Sequence, residues 1–241
     1  MPNGALTLRA AAFKTLSYNF STSKQNAQPR LEPMQVAGFD QFLFTSNGDT
    51  ATVYGLGLDG KFSNAMFAGF ELVRRDVEAQ IFDVRAFPPS LLRKPGQEKS
   101  ARSYFYWTPL PTLSFSARYE VGDFTADEQS PYYFTEMRLR RLPLEARYFG
   151  RSGFSAGLRV SHYHQEGVFV PFVGSGIFEP GQDTFWTTDA TLGFRLPKRR
   201  GVLSLGVDNL FDKDFRYQDI DPENPGVVPE RFAYFRFTLS F

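Results

Sequence analysis

Apolar and polar positions alternate with period two along most of the chain, in runs of about ten residues broken by turns or longer polar stretches. Residues 112–121 are the clearest case: Leu113, Phe115, Ala117, Tyr119 and Val121 share one face, and Thr112, Ser114, Ser116, Arg118 and Glu120 the other. The split recurs where Phe154, Ala156, Leu158 and Val160 oppose Ser155, Gly157, Arg159 and Ser161. It recurs again where Trp186, Thr188, Ala190, Leu192 and Phe194 oppose Thr187, Asp189, Thr191 and Arg195. Tyr54, Leu56, Leu58 and Phe62 face away from Gly55, Gly57, Asp59 and Lys61, and Leu6, Leu8, Ala10 and Ala12 from Thr7, Arg9 and Ala11. Successive side chains of a strand point to opposite sides, so the chain reads as all-β with one apolar and one polar face.

One run departs from this pattern. Met137 and Leu139 fall on odd positions but Leu142, Leu144, Ala146 and Tyr148 on even ones, a reversal near Arg141. A β-bulge there would keep one apolar face continuous, with Pro143 interrupting the ladder; two shorter strands are the alternative. Connections alternate in length, with short links at 63–64, 108–111, 150–153 and 197–201 and long polar ones at 79–97, 122–131, 165–181 and 218–228. A meander with two different ends follows, antiparallel and up-and-down, with about eleven strands (10–12), an odd count that asks for further strands in a larger barrel. The first connection, residues 19–32, is long where the count asks for a short one.

Aromatic residues make up 17% of the chain, yet mean hydropathy is −0.32 and no stretch approaches the roughly 20 apolar residues of a spanning helix. A transmembrane β-barrel gives such a polar average, because lipid-facing and lumen-facing residues alternate. A soluble β-sandwich alternates too. The long runs, their even spacing and the aromatics at their ends favour the barrel, with Tyr104, Tyr106, Trp107, Tyr148, Phe149, Tyr163 and Trp186 expected as interfacial girdles. Only closure would satisfy every backbone polar group in hydrocarbon. The expected lumen carries Arg9, Lys61, Arg75, Arg102, Arg118, Arg147, Arg159, Arg195 and Arg236 against Asp59, Glu71, Glu120, Glu145, Asp189 and Asp208. Net charge is +1, which gives no field pointing to nucleic acid, and the absence of cysteine removes disulfides and thiolate chemistry. Residues 1–19 lack a basic segment followed by an apolar core, so they do not read as a signal peptide; a fragment or a misplaced start is expected.

Residues 231–241 set Ala233, Phe235, Phe237, Leu239 and Phe241 on one face and end on an aromatic. This resembles the C-terminal assembly signal of outer-membrane proteins, which implies that Phe235, Phe237, Leu239 and Phe241 are read by the barrel assembly machinery. Residues 203–215 resemble the penultimate strand of TonB-dependent receptors, where an Asn-Leu-Phe-Asp-Lys stretch leads to an aromatic; here it is Asn209, Leu210, Phe211, Asp212 and Lys213, then Phe215. Residues 31–39 are similar to segments of outer-membrane barrels appended to tetratricopeptide-repeat proteins. The chain departs from the receptors in having no plug domain, no TonB box and too little length for 22 strands. The resemblance implies that residues 1–241 are a single barrel domain, the C-terminal part of a receptor-like barrel in a Gram-negative outer membrane. It implies outer-membrane lipid as surroundings and contact with TonB only through a missing N-terminal part.

Candidate chemistry is sparse. His162 and His164, with Glu166 on the same face, have a spacing compatible with a metal site, though polar residues at a strand's outer end are expected in any barrel. Asp59 with Glu71, or Glu120 with Glu136, could pair for acid–base work, but inward carboxylates among inward arginines more simply make salt-bridge ladders. Neither Gly55 and Gly57 nor Gly174 and Gly176 open a helix as phosphate-binding glycines do, and no nucleophile motif is present. Tyr132, Phe169, Phe172 and Phe178 could contact a ligand at the outer surface or pack the loops. The expected function is ligand uptake across the outer membrane, without catalysis or cofactor. The alternatives are an export or structural barrel anchoring a periplasmic repeat domain, and a soluble all-β binding module.

Overall fold

The structure, a computed structural model, describes residues 5–16, 35–40, 48–83, 87–88, 90–128, 134–170, 177–197, 200–216, 227 and 230–239. Ten strands form one antiparallel sheet in chain order: β1 (Ala5–Leu16), β4 (Thr50–Lys61), β5 (Met66–Asp83), β6 (Ser90–Leu110), β7 (Leu113–Ala126), β8 (Phe134–Phe149), β9 (Phe154–Phe169), β10 (Glu179–Arg195), β11 (Gly201–Asp208) and β12 (Phe232–Leu239). A separate hairpin joins β2 (Gln35–Val36) to β3 (Phe39–Asp40). Each sheet strand pairs only with its neighbours in the order, and β1 and β12 are the edges, so the described sheet is an up-and-down meander that is open.

The described sheet has ten strands, within the expected 10–12; residues 35–40 turn back on themselves through Ala37 (φ 50°) and Gly38 (φ 84°) instead of joining it. The whole β1–β4 connection therefore leaves from the same end as the other long connections, and its length is no longer an exception. The strands also outrun the polar links drawn from the sequence: β5 and β6 pair as far as Asp83 with Ser90, and β9 and β10 as far as Phe169 with Glu179. Ladder hydrogen bonds belong to the backbone and persist where alternation has ceased.

The reason alternation ceases is that the two faces exchange polarity partway up the sheet. Toward the short turns, Leu8, Leu58, Phe70, Phe105, Phe115, Leu144 and Leu158 point to the outer face, which is apolar and exposed. Toward the long connections that face becomes charged, with Arg74, Lys99, Asp123, Arg138 and Glu166 in one row of paired residues. The inner face does the reverse. It is charged low down and largely apolar high up, where Phe39, Ala51, Val53 and Val73 form one buried cluster and Phe124, Phe134 and Met137 another, with the buried Arg75 and Glu98 in the row between them.

This exchange corrects the reading of β8. No bulge lies at Arg141, since the β7–β8 register is unchanged from Leu113 opposite Tyr148 to Thr125 opposite Glu136. Met137 and Leu139 are inner residues of the upper cluster, whereas Leu142 and Leu144 are outer residues of the lower band. The one β8–β9 register shift lies between Phe134 and Glu136. Pro143 does interrupt pairing on the β7 side, where Arg118 and Tyr119 have no paired residue, as a proline without an N–H requires.

The outer apolar band also runs diagonally across the register. The row Met66, Trp107, Phe115, Ala146, Leu158, Ala190, Val207 and Ala233 is its lower edge at β5 and its upper edge at β12, where Phe235, Phe237 and Leu239 continue below. A drop of about six residues at ~3.3 Å over about seven strand spacings of ~4.8 Å is a strand tilt of about 30° to the band. Strands of closed barrels tilt by similar amounts, about 35–45°.

Candidate functional site on the inner face

Arg9, Gly57, Glu71, Arg102, Glu120, Arg141 and Tyr163 occupy one row from β1 to β9. Their charges alternate in sign, and the side chains bridge. Arg9 reaches over Gly57 to Glu71 at 3.3 Å, Arg102 meets the other oxygen of Glu71 at 2.6 Å, and Arg141 lies 3.9 Å from Glu120. A side chain at Gly57 would collide with the Arg9 guanidinium, at 2.9 Å from its Cβ. Arg9 also bonds Asp59 at 2.6 Å, and Asp59 accepts a 2.5 Å bond from the Tyr104 hydroxyl, whose ring lies over Gly69. Inward carboxylates among arginines thus make a ladder, and Asp59 and Glu71 share Arg9 rather than forming an acid–base pair. Glu120 and Glu136 fall on opposite faces and do not meet.

Above the ladder the hairpin docks on the inner face. Phe39 is fully buried in the space left by Gly55, with the Arg9 guanidinium 5.0 Å from its ring. Arg9 donates to the Ala37 carbonyl at 3.0 Å, and Arg75 donates to the Asp40 carbonyl at 3.0 and 3.4 Å. Arg75 is itself paired with Glu98 at 2.5 Å, both side chains being almost wholly buried. Gly55 and Gly57 are therefore packing glycines; Gly174 and Gly176 lie outside the described residues.

The receptor-like stretch closes the upper end of β11. Asn209 (φ 51°) and Asp212 (φ 54°) are left-handed, a conformation that Asn and Asp tolerate better than other side chains. Asn209 is 2% exposed and its amide clamps Lys213 in both directions, donating to its carbonyl at 2.9 Å and accepting from its N–H at 2.8 Å. Its own N–H donates to Asp189 at 2.9 Å and that of Leu210 to the Thr188 carbonyl at 2.7 Å, which anchors the turn on β10. Asp212 receives the Arg231 N–H at 2.9 Å and its guanidinium at 3.3 Å, which aligns the start of β12 and holds the Asp212 carboxyl below the usual carboxylate range. Phe211 is exposed, and Phe215 returns to stack on Phe185 at 4.1 Å. Phe185 stacks on Tyr163 at 5.0 Å, over which the Arg141 guanidinium sits at 5.3 Å.

No family model, no curated protein and no solved structure matches the chain.

The remaining expectations divide by face. His162, His164 and Glu166 do share the outer face of β9, but His162 lies against Trp186 at 4.7 Å and His164 bonds Thr184 at 2.7 Å. Among the described residues no three metal-ligating side chains gather. Of the expected girdle, Trp107, Tyr148 and Trp186 are outward and exposed, whereas Tyr104, Tyr106, Phe149 and Tyr163 turn inward. The parity of each strand decides this. Every charge assigned to the lumen lies on the inner face. Phe235, Phe237 and Leu239 are outward and exposed; Phe241 lies outside the described residues, as do Tyr132 and Phe172. Phe169 packs against the upper inner cluster. Sequence reasoning missed the Arg75–Glu98 pair and the docked hairpin. The one available signal was the parity switch itself, which places Val73 and Val77 beside Arg75 on the inner face.

Proposed function

We propose that the chain is the wall of an outer-membrane β-barrel of the receptor-like kind, which takes a ligand up across the membrane. The observation that carries this reading is the outer apolar band, crossed by tilted strands and backed by a charged inner face. A soluble sandwich would bury an apolar face against a second layer, and here Leu56, Leu58, Phe70, Leu72, Leu158 and Leu192 remain about half exposed. Ten is an even number, and β1 and β12 run antiparallel, so pairing of these edges, or of strands inserted between them, would remove every open edge. The long connections leave from one end, which in such barrels faces outward, and near that end half-buried Phe215 caps the buried rings of Phe185 and Tyr163 on the inner face. Phe235, Phe237 and Leu239, outward on the last strand, suit recognition by the barrel assembly machinery.

One observation favours a second reading, an export or structural barrel anchoring a periplasmic repeat domain. The docked hairpin and the charge ladder fill the inner face of β1 and β4–β6, where an uptake path needs room.

Fractionation of cells expressing the protein, with heat-dependent gel mobility scored on the outer-membrane fraction, tests the barrel. Recovery there with a mobility shift on boiling is expected, and a product soluble without detergent refutes it. Permeation of small sugars through the folded protein in liposomes then separates the two readings, a tight wall favouring the structural one.

A further inference from the structure

The charges of the chain are sorted along the strand axis. Residues 60–68, 105–117, 146–158, 192–206 and 233–241, which hold the short turns and the strand ends beside them, contain no aspartate or glutamate. They do contain cations, and all but Lys61 belong to the β8–β12 side. Arg147, Arg195 and Arg236 stand on the strands, Arg151 lies in the β8–β9 turn, and Lys198 and Arg199 precede Arg200 between β10 and β11. The other two short turns, residues 62–65 and 111–112, are uncharged.

Arg147 is taken up by Glu145 at 2.5 Å, but Arg151, Arg195, Arg200 and Arg236 are exposed and have no ion-pair partner among the described residues. Their own wall does not neutralise them. Asp189 lies six residues up β10 from Arg195, and Asp208, opposite Phe232, lies four residues above the level of Arg236. At ~3.3 Å per residue these separations are ~20 and ~13 Å, beyond the screening length of about 8 Å at physiological salt.

The two faces differ at this level. Arg195 and Arg236 are on the inner face, whereas the outward residues are Tyr148, Phe154, Phe194, Phe237 and Leu239, all exposed and none charged. A lipid headgroup against the outer face therefore meets no cation on these strands, and the positive charge is offered to whatever stands in the mouth. Ser155, Gly193 and Ser204 complete the row of Arg236, so the wall between the arginines is low. From the β8–β9 turn to β12 the cations span about 17 Å at ~4.8 Å per strand, more than one small anion bridges. An extended chain turns a side chain to the same side every ~7 Å, which brings several carboxylates within that span.

We propose that this mouth docks an acidic segment of a soluble polypeptide partner, with its carboxylates on Arg151, Arg195, Arg200 and Arg236. The proposal rests on the barrel reading, in which the short-turn end meets the periplasm and the inner face lines a lumen. A polypeptide seated on the rim fits better than an anionic polysaccharide in transit, because the docked hairpin and the charge ladder fill the inner face of β1 and β4–β6. A partner on the rim needs no passage.

The test uses the full chain folded in non-ionic micelles and fluorescence anisotropy of labelled decaglutamate, with decaglutamine as the uncharged peptide. Saturable binding of decaglutamate alone is expected, weakening as salt rises. Affinity should fall about fivefold in Arg195→Gln/Arg236→Gln and again in Arg151→Gln/Arg200→Gln, and vanish when all four are changed. All four side chains are exposed, and heat-dependent gel mobility of each variant checks that it folds. Lys14→Gln, at the other end of the sheet, should bind as the parent does. Undiminished binding in the fourfold variant, or no binding to a heat-modifiable barrel, overturns the proposal. Displacement of decaglutamate by an equal or lower concentration of hexagalacturonate reassigns the mouth to an anionic saccharide, and displacement by phosphatidylglycerol reassigns it to a lipid surface; either result also overturns it. A chain soluble without detergent sinks the barrel reading as well.

Discussion

Replacing Arg75 with Met should be among the most damaging single changes in the molecule. The Arg75 guanidinium pairs with Glu98 at 2.5 Å and donates twice to the Asp40 carbonyl at 3.0 and 3.4 Å, with side-chain exposures of 5% and 6% for the ion pair. Met fills similar volume, so little of the cost is cavity. The cost is the Glu98 carboxylate left buried without its countercharge, about 3–5 kcal/mol, with the Asp40 contacts pushing toward the upper end. Arg75→Met/Glu98→Leu removes both charges and should recover to within about 1 kcal/mol of the parent, because the penalty belongs to the orphaned charge and not to the lost attraction. Urea titration of the full chain in micelles, followed by the emission of its 2 tryptophans, measures both variants. Limited proteolysis at Ala37 and Gly38 reports whether the hairpin has come away. A single variant that loses less than about 1 kcal/mol, or a double variant as damaged as the single, would refute the reasoning.

Three further outcomes follow from other contacts. Gly69→Val should displace the Tyr104 ring and break its bond to Asp59, costing about 1–3 kcal/mol in the same urea assay, whereas Gly181→Ala, beside a yielding Phe169 ring, should cost little. Asn209→Ala should cost about 2–3 kcal/mol by losing both bonds to Lys213 and straining a left-handed residue; Asn209→Gly should cost less, since it relieves the strain alone. The Asp212 carboxyl is held below its ordinary range by Arg231, so its tie to β12 is fully present above the unfolded carboxylate range and is lost as pH falls through the lowered folded value. Protease cleavage near Arg231 should therefore rise on acidification in the parent and be insensitive to pH in Asp212→Asn.

Much of the fold was legible because a strand with two different environments on its two sides must alternate. Period two, set by backbone geometry, gave the strands, the residues of their two faces and the short turns, and every charge expected on the polar face lies on the inner face of the sheet. Parity tells which residues share a face, but not what that face meets at a given height. The reversal near Arg141 therefore read as a bulge, when it marks the level where a strand in unbroken register leaves its apolar band. The expected girdle has a different cause: Tyr104, Tyr106, Phe149 and Tyr163 stand at the ends of runs, but the parity of their strands turns them inward.

Residues 31–39 stood out only by their similarity to segments of repeat-protein barrels, which says nothing of where they pack. What made residues 35–40 a docked hairpin was a pair of left-handed residues and two arginines from distant strands, Arg9 and Arg75, that donate hydrogen bonds to its carbonyls. The receptor-like stretch was visible as a string of residues, yet its role as a turn that anchors β11 on β10 and aligns β12 depends on Asp189, Thr188 and Arg231, none of them local. The sequence by itself determined the strands and the polarity of their faces, because those depend on neighbours two residues apart. Register, height and the partners of each charge needed the tertiary structure, because they are fixed by side chains that meet only when strands far apart in the chain lie about 5 Å apart in the sheet.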